Sequence, residues 1–364
     1  MKSEFPLIKS IEQCRQAIVG RPEFSETDKG DYIVFNYHVA HEDSFECPIR
    51  RELRGLTFSK NGTILSRPFH KFFNLNEKEE TRNIDWTRKH VILEKLDGSM
   101  VRPLFLSEGL RWATKAGVTD ISEMAEKYVE KNPRYKDFAH MCFQSKCTPI
   151  FEYIAPSNRI VIAYGDEDLI LLAIRNNETG KYFIYETLLF VVNQFEIPVV
   201  KQHMGGLNAL KDETGIEGVV VRFDDGQMFK IKTEWYVAIH KAKENILFEK
   251  NVIKLILEER LDDIIQELPD SDVERITQYQ ETLLDNIDKA VLLCQSALKS
   301  AEGQDKKYFA INIAPKLIPI LRVACFACWN NPENIRDSLI LNILKKTSTQ
   351  SEVDSIRDII GGKW

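Results

Sequence analysis

Lys95 ends the apolar run Val91 to Leu93, within Glu94-Lys95-Leu96-Asp97-Gly98-Ser99, and sits just before an Asp-Gly turn signal. A turn there would hold the amine in a fixed position at a sheet edge. Further along, Lys230 and Lys232 stand at i, i+2 in Phe229-Lys230-Ile231-Lys232. In a strand that spacing points both ammonium groups to one face, where they can line one pocket. A lysine attacks an electrophile only as the free amine, whereas an unperturbed ammonium, with a pKa of about 10.4, persists at neutral pH. Neighbouring cations and partial desolvation favour the amine. Taken singly, each feature also has an ordinary reading: a hairpin with a solvated lysine, and a solvated strand face.

Other residues stand around these in a definite order. Arg54-Gly55 follows Arg50 and Arg51, and Phe69-His70-Lys71-Phe72-Phe73-Asn74 precedes Lys95. Phe151-Glu152-Tyr153 and Glu217-Gly218-Val219-Val220-Val221 then lead to the paired lysines. This order resembles the covalent nucleotidyltransferase superfamily of ligases and capping enzymes. That superfamily carries KxDG, then separate strands bearing a carboxylate, an EGVV-type run and KxK. Within it, the stretches 66–77, 151–164, 175–182 and 229–240 resemble the RNA ligase 1 family of the T-even bacteriophages. The likeness is strong from about Asp31 to His240 and thins to a helical pattern beyond.

The resemblance implies an ATP-dependent RNA ligase acting in three steps. Lys95 takes AMP from ATP with loss of pyrophosphate, AMP passes to an RNA 5′-phosphate, and a 3′-hydroxyl displaces AMP to form a phosphodiester. On the same footing, Tyr37, Arg54, Lys71, Lys115, Glu152, Lys230 and Lys232 bind the nucleotide, with Glu152 on a ribose hydroxyl. Glu217, acting through water, and Asp262 are the implied metal residues, and Tyr236 affects substrate use. The implied cofactors are ATP and Mg²⁺, or Mn²⁺ in its place. The implied partner is RNA, specifically tRNA broken in its anticodon loop, with a polynucleotide kinase-phosphatase healing the ends. Fixed lysine and metal charges suit the negative charge that spreads over a transferring phosphate. Three assignments keep plain alternatives: Tyr37 as a core aromatic, Tyr236 as an anchor for the next helix, and Asp262-Asp263 as a solvated helix face. A silent nucleotide- or RNA-binding module on the same fold is a second reading. So is a DNA ligase of the superfamily.

The elements that must position these residues are short strands rich in β-branched and aromatic residues. They are expected at 32–35, 62–65, 90–93, 110–114, 150–154, 169–174, 219–223 and 228–231, with helices at 121–131 and 185–195. From Thr233 the alternation stops and amphipathic stretches follow at 252–268, 272–300, 306–329 and 334–346, punctuated by Pro269, Gly303 and Asn331-Pro332. The expected architecture is α+β. An antiparallel-sheet nucleotidyltransferase (ATP-grasp-like ligase) domain over 1–240 precedes an all-α domain over 241–364 that confers RNA or tRNA specificity. An OB-fold after the paired lysines, as in DNA ligases and capping enzymes, would need a run of short strands that is missing here.

Composition agrees with a folded chain. Among 364 residues, 43% are hydrophobic and 29% charged, enough for two or three domains with cores of their own. The net charge of -6 supplies no bulk basic field, so nucleic-acid contacts must come from local clusters. Seven scattered Cys and the lack of a long apolar run fit reduced thiols, no membrane span and a cytoplasmic protein, in the host-cell cytoplasm if phage-encoded. Cys325-Phe326-Ala327-Cys328 has zinc or redox spacing but no second pair nearby, and reads as core packing.

Overall fold

Strand formation follows the β-branched and aromatic runs. The computed structural model describes residues 5–364 apart from 211, 266, 267 and 363. In chain order the strands are β1 (Phe24–Asp28), β2 (Tyr32–Tyr37), β3 (Leu56–Ser59), β4 (Ile64–Ser66), β5 (Phe73–Asn74) and β6 (His90–Glu94). They continue as β7 (Ser99–Leu106), β8 (Gly109–Ala113), β9 (Cys147–Ile154), β10 (Asp168–Asn176), β11 (Gly218–Phe223) and β12 (Met228–Lys232). They form three sheets with orders β1-β2-β3-β4, β10-β9-β7-β8 and β5-β12-β11-β6. Pairing is antiparallel except between β5 and β12.

Two compact units divide the chain between Val237 and Ala238. In the first, β9 is buried at every position but Glu152. The helix Arg134–Gln144 packs on it, with Tyr135 and Phe138 edge-on against Phe151, and the helix Asp120–Lys131 packs on its sheet neighbours β7, β8 and β10. The helix Asp120–Lys131 starts where Thr119 and Ser122 form a reciprocal cap. In the second unit, the 30-residue helix Asp270–Lys299 buries Ile276, Tyr279, Leu283, Ile287, Ala290, Cys294 and Ala297. Their spacing of three and four makes one stripe, onto which the helices Pro319–Ala327 and Ile335–Leu344 pack. Cys325 and Cys328 lie in this apolar core. Among the described residues, no helix is long and apolar enough to cross a membrane.

Local chemistry moved some boundaries from their expected places. The stretch 306–329 is not one helix: Pro315 and Pro319 break it into Lys306–Asn312, a short 3-10 turn and Pro319–Ala327. The segment 185–195 is α-helical only to Val192 and tightens to 3-10 geometry over Asn193–Phe195. β7 was hidden by Pro103, which the sheet tolerates because pairing with β9 ends at Val101 while pairing with β8 continues. β1 also escapes the pattern, since three of its five residues are exposed, and so does the helix Arg134–Gln144, although its buried Tyr135, Phe138, Ala139 and Cys142 stand at helical spacing.

Under the first unit's sheets lies a charged cluster with almost no solvent contact. Glu52 accepts from Arg67 Nε and from Arg175 Nη2, each at 2.9 Å, and all three residues are at most 2% exposed. Against the penalty of burial, Arg175 and Arg67 hold the Glu52 carboxyl down at about 2. Its contribution to stability is therefore complete above the ordinary glutamate range and is lost as pH falls through about 2. Glu52→Ala, which strands two buried guanidinium groups, is expected to lower unfolding free energy by about 3–5 kcal/mol in a denaturant titration at pH 7. A change under 1 kcal/mol would show that the cluster is not coupled to folding.

Candidate active site

The last residue of β6 delivers Lys95 to the mouth of a cleft of about 240 Å³, lined by Arg54, Lys95, Glu152, Lys230 and Arg222 among apolar side chains. Its backbone N–H donates to Gly218 O at 2.9 Å. Its Nζ donates to Glu217 Oε2 at 2.6 Å, and Lys232 Nζ lies 3.1 Å from Glu217 Oε1. One buried carboxylate thus stands between two ammonium groups. Gly218, the first residue of β11, has φ +144°, and a Cβ there would strike Ile231 O. Only glycine lets β11 approach β12 so closely beside Glu217.

Register places the rest. Val220 faces Lys230 and Gly218 faces Lys232, so both lysines share one face of β12 as their spacing predicts. Burial foremost, then Lys71, Lys95, Arg54 and Lys232, push the Lys230 ammonium down to about 8. Across the cleft, burial pushes the Glu152 carboxyl up to about 7, with Lys95 and Arg54 opposing and Glu217 adding. Cationic and anionic side chains here are close enough to set one another's protonation.

Lys71 forms a second part of the site. Its Nζ lies 5.5, 5.2 and 5.5 Å from the ring centres of Tyr37, Phe45 and Phe73. Lys115 Nζ lies 5.2 Å from the same Tyr37 ring. Although burial works the other way, Arg54, Lys71 and Lys115 pull the Tyr37 phenol below its ordinary range. Tyr37 is half-buried: its ring packs edge-on against Phe24 and Phe45 in the core while lying beside the Lys71 and Lys115 ammonium groups.

Asp97 emerges as a structural keystone that sequence reasoning left out of the site. Its Oδ2 accepts from the N–H groups of Val161 and Ile162 at 2.7 Å each, and its Oδ1 accepts from Tyr236 Oη at 2.6 Å. The Tyr164 hydroxyl accepts from the Asp97 N–H at 2.9 Å. Tyr236 is 2% exposed, so in this arrangement it ties the helix Glu234–Ile246 to the turn after Lys95. At Gly98 a Cβ would collide with Tyr153 O, which explains the glycine after Asp97.

Arg102 was also missed. Fully buried, it donates to Ser66 Oγ, Ala113 O, Gly55 O and Thr57 Oγ1 at 2.6–3.0 Å, and to Thr114 O. It fastens the backbone beside Arg54 to the backbone beside Lys115. Its neighbour Pro103 masked the strand that carries it. Asp262 lies in the second unit, exposed at the start of the short helix Asp262–Ile265. Among the described residues, no group of three or more His, Cys, Asp or Glu could by itself enclose a metal.

The sequence pattern of the RNA ligase family matches residues 52–236. A protein of Thermovibrio ammonificans named as an RNA ligase is 30% identical over 313 residues, covering 82% of each chain. RNA ligase 1 of bacteriophage TS2126 is 27% identical over 246 residues, 63% of this chain and 61% of its own. A protein of Autographa californica nuclear polyhedrosis virus named as a bifunctional polynucleotide kinase/RNA ligase is 28% identical over 267 residues. That match covers 66% of this chain and 38% of the viral one. The chain spans less than two thirds of the phage and viral relatives.

The role of Asp97 can be tested without assaying activity. Asp97→Ala removes the acceptor for Val161, Ile162 and Tyr236, and amide exchange at Val161 and Ile162 is expected to quicken by roughly tenfold or more. Unchanged protection at both would show that the loop is held by other contacts.

Proposed function

The chain belongs to the RNA ligase family, and from that premise we propose that it is an ATP-dependent enzyme joining RNA 5′-phosphate and 3′-hydroxyl ends through AMP carried covalently on Lys95. The observation that carries this reading is the Lys95 amine at the mouth of a cleft with Arg54 and Lys230, its Nζ held by Glu217. Arg54 and Lys230 are placed to neutralise a triphosphate, with Lys71, Lys115 and Lys232 close by. Glu152, at the opposite wall, accepts from a ribose hydroxyl in its ionised form. Lys95 Nζ attacks as the free amine: its bond to the α-phosphorus forms as the bond to the bridging pyrophosphate oxygen breaks, pyrophosphate leaves, and the proton lost from the nitrogen passes to solvent.

Mg²⁺ fits this donor set, since it binds through one or two carboxylates together with substrate phosphates and keeps its waters. Glu217 would hold it, with both carboxylate oxygens now facing Lys95 and Lys232. When bound, the metal supplies charge neutralisation on the phosphates and competes with Lys95 for Glu217. The role of Asp262 as a further metal residue rests on the resemblance alone.

The narrower substrate we propose is tRNA broken in its anticodon loop, with the helical unit from Ala238 onward contributing recognition. A kinase-phosphatase that supplies 5′-phosphate and 3′-hydroxyl ends is its natural companion. The viral relative, whose name joins a kinase to a ligase, supports that pairing. The working place we propose is the cytoplasm, in keeping with the seven free thiols.

Incubation with α-labelled ATP and Mg²⁺ without RNA, followed by denaturation, is expected to leave label on the wild-type chain and none on Lys95→Ala. No label on a folded wild type cleared of bound AMP would overturn the ligase reading. For the substrate, the full chain is expected to seal a tRNA nicked in the anticodon loop several-fold faster than an unstructured strand with the same ends. Equal rates would remove tRNA as its target.

A further inference from the structure

Lys71 is held differently from the other lysines of the cluster. Lys95 and Lys232 share Glu217, but among the described residues no carboxylate pairs with Lys71. Three rings take that place: its ammonium lies over Tyr37, Phe45 and Phe73, and the Lys115 ammonium lies over Tyr37 as well. A ring face attracts a cation through its quadrupole and adds no net charge, so it can hold an ammonium in place while leaving that charge uncancelled. A carboxylate in the same position would repel an entering polyanion.

The cage is itself fixed. Phe45 is 3% exposed and packs edge-on against Tyr37 and Phe73, with 4.9 and 6.1 Å between ring centres, while Phe24 backs it at 5.6 Å. It stands in the turn before the helix Pro48–Glu52, and that helix secures it through Arg51, whose Nε donates to Phe45 O at 2.7 Å. The Arg51 carbonyl accepts from the Lys71 N–H, also at 2.7 Å, and its guanidinium lies 5.5 Å from the centre of the Phe73 ring. One residue thus sets the walls of the cage and the backbone of its occupant relative to each other. Burial aside, Arg54 and then Lys71 act most on the Tyr37 phenol, and Lys71 acts most on Lys230. Arg54 and Lys230 both line the cleft that holds Lys95, so the cage borders it.

We propose that Phe45 is a positioning residue for phosphate binding: its ring closes an aromatic cage that holds the Lys71 ammonium toward the phosphates of the nucleotide. The proposal rests on the reading of this cleft as the ATP site. Phe45 acts through Lys71, and an apolar side chain of similar size would keep the packing of the turn but not the attraction for the cation.

The test uses the full chain cleared of bound AMP with pyrophosphate. ATP binding and label transfer to Lys95 are measured in wild type, Phe45→Leu, Lys71→Met and the double variant, and in chains carrying mono-, di- or trifluorinated phenylalanine in place of Phe45. Fluorine draws electron density off the ring face and leaves the shape of the ring almost unchanged, so a role in packing alone would not follow the series. ATP binding is expected to weaken stepwise along it, by about threefold or more at the trifluorinated ring, and by about three- to tenfold in Phe45→Leu. In the Lys71→Met background, Phe45→Leu is expected to change ATP binding by less than about twofold, since the cation on which the ring acts is gone. A fluorinated series that binds ATP as wild type does would overturn the proposal, and this arm keeps the native side-chain shape. An equal loss from Phe45→Leu with and without Lys71 would also overturn it, because the ring would then act through packing. A wild type that binds no ATP at all fails at the earlier step and takes down the nucleotide reading itself. ATP binding indifferent to the ring removes Phe45 alone.

Discussion

The constraint on which this structure turns is the crowding of like charge. Lys71, Lys95, Lys230, Lys232 and Arg54 lie close enough that the others all act against the Lys230 ammonium, and Glu217 and Glu152 are the carboxylates that act on the cluster from its two sides. Such an arrangement repels itself and would disperse on a flexible chain. It is held because each charge stands on or beside a paired strand. Lys95 follows β6, Glu217 precedes β11, Lys230 and Lys232 are on β12, and Glu152 is the partly buried member of the otherwise buried β9. A triphosphate with a divalent cation relieves the repulsion, which makes the same crowding a source of affinity for a polyanion.

A second set of buried polar groups keeps the backbone where the first set needs it. Asp97 ties together the turn after Lys95, the loop at Val161 and Ile162, and the helix that follows Lys232. Arg102 fastens the neighbours of Arg54 and Lys115, and Glu52 joins Arg67 to Arg175 underneath. Replacing such groups with apolar ones of equal volume can be neutral for stability, so their value here is positional. Each donor or acceptor has a definite partner, and an alternative packing would leave several unpaired.

The helical unit obeys simpler rules. Its core is an apolar stripe at spacing three and four on Asp270–Lys299, covered by shorter helices, and its buried cysteines serve as packing. The buried Glu249 carboxylate accepts from Tyr279 and Arg357 and so joins three helices, Glu249–Leu257, Asp270–Lys299 and Arg357–Ile360. The proline breaks near 315 and 319 were visible in the chain, yet amphipathic periodicity carries through them, because the apolar face stays in phase on both sides.

What the sequence by itself determined was local and periodic. The Lys230 and Lys232 pair had to share a face once β12 formed, Lys95 had to lie at a strand end, and the change from alternation to helical spacing near Thr233 had to mark a change of architecture. The order of motifs along the chain added the family. What only the tertiary structure decided was depth and partnership. Lys95 and Glu217 are 122 positions apart, and Asp97 and Tyr236 are 139 apart, so no spacing rule joins them. Strand alternation gives the face on which Arg222 stands, but not that its side chain ends buried with Nη1 donating to Leu172 O. Periodicity reports direction relative to one element's own axis. Burial, protonation and hydrogen-bond partners arise only where elements meet, and that meeting is fixed by the whole core at once.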